Sequence, residues 1–153
     1  DRERMLVNLL IDLHEHKLLR SAHDLSTGGL AIALAESSMN GIGCHVDLRG
    51  HADSLDAVGL LFSESQARAV IACRVEHRDE VLRRANDSGV RAMRIGRTSA
   101  ATFVIERNGV PLIRTNASEV ARIWRSAFAP FLGGDSIDDV IHGRGEEAEL
   151  IAH

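Results

Sequence analysis

Apolar positions recur at two different periods along this chain of 153 residues, and the switches between them predict its elements. Met5, Leu6, Leu9, Leu10 and Leu13 fall at three- and four-residue spacing, which predicts an amphipathic helix over 2–18. Arg20 to Asp24 then reads as short and extended. Ser26 predicts the cap of a second helix, 28–39, with Gly28 and Gly29 in its first turn and Asn40-Gly41 as its stop. Ala31, Ala33 and Ala35 would let that helix lie close against a sheet. Cys44 to Leu48 alternates as a strand, and the polar run Arg49 to Asp56 has no clear period. Leu60 to Phe62 and Ala69 to Arg74 predict two apolar strands on either side of Ser63-Glu64-Ser65-Gln66.

A helix over 76–88 follows, with acids in its first turn and Gly89 at its C-terminal cap. Val90 to Ile95 predicts a further strand, and Thr102 to Glu106 with Val110 to Ile113 brackets Asn108-Gly109, the strongest hairpin signal in the chain. Asn116 and Glu119 have capping-box spacing for a last helix, 116–128, with Val120, Ile123, Trp124, Ala127 and Phe128 on one face and Pro130 after it. This order, without internal repeats, predicts an α/β (α+β layered) fold in which a mixed sheet of four to six strands packs against helices, ferredoxin-like in part. The expected organisation is one domain over 1–132 and an acidic, disordered tail over 133–153 whose removal changes stability little.

Composition narrows the chemistry. Hydrophobic residues at 44% and charged residues at 26% fit a globular domain, and the absence of tyrosine removes one general acid. Among 18 basic residues only Lys17 is a lysine, and no Gly-Lys-Ser/Thr exists to make a Walker-type phosphate loop. The net charge of −4 argues against a nucleic-acid partner. Within 133–153, six acids face only Arg144, a net of −5, which leaves the remainder near +1. Cys44 and Cys73 form no Cys-x-x-Cys, so reduced thiols in a cytoplasmic core are expected. No apolar run has membrane-span length, and the Asp-Arg-Glu-Arg start is unlike a signal peptide, so neither membrane nor export is expected.

The sharpest candidate chemistry lies in His23-Asp24-Leu25-Ser26-Thr27-Gly28-Gly29-Leu30, where an extended segment turns into a helix. First-turn amides have no intrahelical partner and the helix dipole is positive there, which favours an anion such as a phosphate. Glycine at 28 and 29 removes the β-carbons that would hold a phosphate away, and Ser26 adds a hydroxyl donor. Asp24 would order the turn, bind a metal or accept a hydrogen bond from a ligand. The competing reading is a capped helix that needs its glycines only for close packing. On the phosphate reading, Gly28→Ala and Gly29→Ala weaken binding more than folding. Ser63-Glu64-Ser65-Gln66 is either a bulge aimed at a cleft or an ordinary exposed turn, and Arg68 pairs with Glu64, with a ligand phosphate, or as a plain surface ion pair. The eight histidines make no metal-ligand pattern, and no Gly-x-Ser-x-Gly appears. Sequence therefore names no catalytic residue and no metal ligand.

His23 to Ala31 running into Ala33-Leu34-Ala35-Glu36, then Leu61-Phe62-Ser63-Glu64-Ser65-Gln66-Ala67-Arg68 about thirty residues later, resembles the C-terminal domain of the phosphoribosylformylglycinamidine synthase large subunit. The closing Trp124 helix is similar too, so the resemblance covers residues 1 to about 132. The wider aminoimidazole ribonucleotide synthetase-like superfamily includes selenophosphate synthetase and thiamine-phosphate kinase. A domain of one of these, or a non-catalytic phospholigand-binding or assembly module, is the alternative. The resemblance implies part of an ATP- and Mg²⁺-dependent ligase of purine synthesis. That ligase converts formylglycinamide ribonucleotide to its amidine with ammonia that a glutaminase partner releases from glutamine. It further implies that the nucleotide and metal sites lie largely in an N-terminal domain missing from this chain, which alone would be inactive. The implied substrate-phosphate site comprises Ser26, Gly28, Gly29, Ser63, Glu64, Ser65 and Arg68, with Asp24 touching substrate or metal.

Overall fold

The structure, a computed structural model, describes residues 2–50 and 56–127. His51, Asp53, Phe128, Pro130 and the acidic 133–153 segment lie outside the described residues. Helix α1, Arg2–Glu15, buries Leu9 and Leu13. It closes where Lys17 turns to φ 57 and the Leu18 N–H reaches back to the Leu13 carbonyl at 2.9 Å. Strand β1, Leu19–Asp24, leads through a turn into α2, Gly29–Ser37, and then β2, Gly43–Asp47. Helix α3, Ala57–Phe62, precedes β3, Ala69–Cys73. A single 3₁₀ turn, Val75–His77, opens α4, Arg78–Asp87. The remaining elements are β4, Gly96–Ser99; β5, Thr102–Arg107; β6, Val110–Asn116; and α5, Ala117–Ser126.

The expected mixed sheet is present as a four-stranded sheet in the order β4-β2-β5-β6, with β2 and β5 parallel and the other pairs antiparallel. β1 and β3 form a separate antiparallel ribbon. Two apolar clusters hold these parts. Leu30, Ala31, Ala33 and Leu34 of α2 pack with Leu60 and Leu61 of α3 onto Cys44, Val46, Phe103 and Ile105 of the large sheet. Leu9 and Leu13 of α1 pack with Val81 and Ala85 of α4, and Leu19, Ile71 and Cys73 of the ribbon join them. Burial pushes the Cys44 thiol up to about 11, so it is a core side chain rather than a nucleophile at neutral pH.

Local signals that matched their surroundings hold. Asn108 and Gly109 both take positive φ, 53° and 80°, as a two-residue hairpin of this type needs. Gly89 closes α4 at φ 69, with the Val90 N–H on the Ala85 carbonyl.

Four expectations need correction. Leu60 to Phe62 is the end of a helix, because the Asp56 carboxylate accepts from the Gly59 N–H at 2.7 Å and caps it. Val90 to Ile95 forms no strand, and the ladder on β2 starts at Gly96 instead. Asn116 caps α5 through the Glu119 N–H at 2.9 Å, but the Glu119 carboxylate turns to Arg122, so only half of the capping box forms. On that helix Ala117 and Ala121 are buried, while Ile123 and Trp124 stay 54% and 43% exposed, so the buried face is rotated from the predicted one. No helix among the described residues is long and apolar enough to cross a membrane.

Candidate functional site

The ribbon brings the two candidate segments together. Asp24, the last residue of β1, is paired with Ala69, the first of β3, and the Leu25 N–H extends the ladder to the Arg68 carbonyl at 3.0 Å. The Asp24–Gly29 turn and the Ser63–Arg68 loop therefore leave the same end of one ribbon, although more than thirty residues separate them. Between them and α1 opens a cleft of about 600 Å³.

Asp24, Ser26, Glu64 and Arg68 line this cleft, together with His23, Thr27 and Gln66. The Gly28 N–H donates to Glu64 Oε1 at 2.7 Å and closes the gap between the segments. Arg68 does not pair with Glu64. Its Nη1 donates to the Ser63 hydroxyl and carbonyl at 2.9 and 3.1 Å, which folds the loop back on itself and helps hold Ala67 at φ 59. Ser63 is thus an internal brace, and Ser65 is exposed away from the cleft lining.

The start of α2 differs from the prediction. Its cap is Gly28 at φ 78 with no side-chain cap, and Ser26 contributes its carbonyl, to the Gly29 N–H at 3.3 Å, rather than its hydroxyl. Gly29, at φ 63, abuts backbone: an added β-carbon would lie 2.7 Å from the Ser63 carbonyl oxygen and 2.8 Å from the Phe62 carbonyl carbon. At Gly28 the added carbon would meet Ile32 Cγ1 at 2.3 Å. Both glycines are therefore favoured by left-handed backbone and close packing, so alanine at either position strains the fold as well as any bound phosphate.

Two features escaped sequence reading. The apolar wall of the cleft comes from Leu6, Val7 and Leu10 of α1; the helical period marks Leu6 and Leu10 without saying that this helix faces the turn, and it omits Val7. His23 was quoted in the motif without a role. Its Nδ1 donates to the Asp24 carbonyl at 2.7 Å, and its Nε2 lies 3.0 Å from Glu36 Oε2, so it ties the end of β1 to α2. No three of His, Cys, Asp or Glu cluster as metal ligands among the described residues.

The chain is 40% identical over 128 residues to the phosphoribosylformylglycinamidine synthase subunit PurL of Moorella thermoacetica, and 45% identical over 135 residues to that of Thermobifida fusca. These matches take in 83% and 87% of this chain but 17% of each relative, so it spans about one-sixth of their length. Its fold is similar to that of Thermotoga maritima PurL, solved in complex with FGAR, at a TM-score of 0.72 and 20% identity over 78% of this chain and 21% of that one. The pattern of the family described as AIR synthase related protein, C-terminal domain, matches residues 1–106, more than half of the sequence, and the chain belongs to that family.

Proposed function

We propose that this chain is the C-terminal, substrate-phosphate-binding domain of a phosphoribosylformylglycinamidine synthase. Such an enzyme uses ATP and Mg²⁺ to convert formylglycinamide ribonucleotide to its amidine, with ammonia supplied by a glutaminase partner. Two observations support the reading: the likeness to PurL proteins, and the meeting of Asp24–Thr27 with Glu64, Gln66 and Arg68 across one cleft, beside which Gly28, Gly29 and Ser63 lie outside the lining. The second carries it, because a phosphate needs donors converging from more than one segment. In this reading Ser26, Gly28 and Arg68 present donors to the phosphate. Gly29, Ser63 and Ser65 shape the backbone around it, while Asp24 and Glu64 accept from the substrate's polar groups or a metal. The apolar α1 wall excludes water from one side. ATP and magnesium are held chiefly by a separate nucleotide-binding half, so the chain alone does not turn over; a cytoplasmic location belongs to the same reading.

Arg68 supplies the test. Its Nη1 is committed to Ser63, and no other bond to the guanidinium is formed among the described residues. In the complete enzyme, Arg68→Ala should raise the dissociation constant of the phosphorylated substrate about 10- to 100-fold, as expected for one charge-assisted hydrogen bond. Calorimetric titration beside a thermal melt reads this. Unchanged affinity in folded protein would remove Arg68 and the phosphate assignment with it.

The domain is further proposed to span 1–132, with 133–153 as an appended acidic segment. Deleting 135–153 should leave the urea midpoint of the chain within experimental scatter. A loss of several kcal/mol would make the segment part of the packed domain.

A further inference from the structure

Helix α5 packs at its start and stands bare at its end. Ala117 and Ala121 are 1% and 5% exposed, and Val120 packs against the cluster over the four-stranded sheet. Trp124 follows Ala121 by three residues and Val120 by four, which sets it one turn further along, and there it and Ile123 are left exposed. The described residues end at Ala127, whose N–H bonds to the Trp124 carbonyl at 3.2 Å. We propose that the next five residues, Phe128-Ala129-Pro130-Phe131-Leu132, fold back as an apolar strap that covers Trp124 and Ile123, so that the packed domain closes at Leu132. The inference does not depend on the phosphate reading.

Composition, reach and stop signals single out this segment as the occupant. The chain has five aromatic residues, and three of them, Trp124, Phe128 and Phe131, fall within 124–131. With Ile123 and Leu132 they would make one exposed apolar patch, which a domain buries or presents to a partner. The segment starts one turn from Trp124, and five residues of extended chain span up to about 17 Å, ample for a return over a single turn of about 5.4 Å. Pro130 favours extended backbone at Ala129 and cannot continue the helical hydrogen bonding, which turns the chain off the α5 axis. Gly133-Gly134 then ends the apolar run, and six acids follow. A stable contact with a second copy would bury about 800 Å² on each partner, far more than two side chains supply.

Trp124 is the only tryptophan and the chain has no tyrosine, so its intrinsic emission reports on this patch alone. In the 153-residue chain the emission should be blue-shifted, shielded from acrylamide and the same at every protein concentration. Phe128→Ser combined with Phe131→Ser should shift it to the red and open it to acrylamide, with the far-ultraviolet circular dichroism retained. The same variant should raise the unfolding equilibrium constant about tenfold, equivalent to about 1.4 kcal/mol. Deleting 135–153 should change none of these. Equal accessibility of Trp124 in the wild type and the double variant would overturn the proposal. So would shielding that appears only as concentration rises, which assigns the patch to a second copy, or shielding lost on deleting 135–153, which assigns it to the acidic segment. Where the double variant does not fold, nuclear Overhauser contacts from the Trp124 indole to the Phe128 or Phe131 ring in the wild type decide the question, and their absence overturns it.

Discussion

Gly29→Ala should lower the stability of this domain by about 2–4 kcal/mol, combining the cost of a left-handed residue with that of overpacking. The residue sits at φ 63, and its missing β-carbon is the space into which the backbone of Leu61, Phe62 and Ser63 closes, at 2.7–2.9 Å from where that carbon would be. Those neighbours are main chain, so no side chain can rotate aside. The strain would fall where α2 meets α3 and would loosen the Ser63–Arg68 loop as well. Urea unfolding should show a lower midpoint at an unchanged slope, which marks a change in stability rather than in exposed surface. A midpoint within scatter of wild type would show that the α2–α3 junction is less tightly closed than it stands here, and would restore the glycine pair to a purely ligand-facing role.

Phe103→Ala should cost about 3–5 kcal/mol, the range for emptying a large aromatic site in a core. Phe103 is 2% exposed on β5, in the cluster where α2 and α3 cover the four-stranded sheet. Its register partners, Cys44 on β2 and Thr115 on β6, are fixed by ladder bonds on both sides, so the sheet cannot collapse readily into the void. Val110→Ala is the control. That side chain is 62% exposed at the hairpin, and its truncation should stay within about 0.5 kcal/mol of wild type. A small loss at Phe103 would mean that the helices over the large sheet can repack around the gap.

The parts legible in the sequence share one property: their determinants lie within a few residues of one another. The α1 stripe, the Gly89 closure of α4, the Asn108-Gly109 turn and the Asn116 cap are each set by backbone preference and side-chain reach inside one turn. Where two outcomes were locally balanced, the prediction failed. Leu60 to Phe62 is too short a run for periodicity to separate strand from buried helix, and a carboxylate four residues upstream, Asp56, decided for helix. The amphipathic period of α5 was real, but Ala117 and Ala121 rather than Ile123 and Trp124 face the core, because small residues let the helix lie closer.

The candidate site divides the same way. Sequence alone determined that an extended segment turns into a helix through paired glycines, that a polar Ser-Glu-Ser-Gln loop carrying Arg68 follows, and that this pair of motifs belongs to a recognisable family. Only the tertiary structure decided that the two segments share a cleft, because the antiparallel register of β1 on β3 sets Asp24 beside Ala69. It also decided that Glu64 rather than solvent meets the Gly28 amide, that Arg68 braces Ser63, and that Gly29 is needed for packing. Each of those outcomes depends on atoms far apart in the chain. Strand register and backbone closure bring them within reach, and neither is encoded in the spacing of residues along one segment.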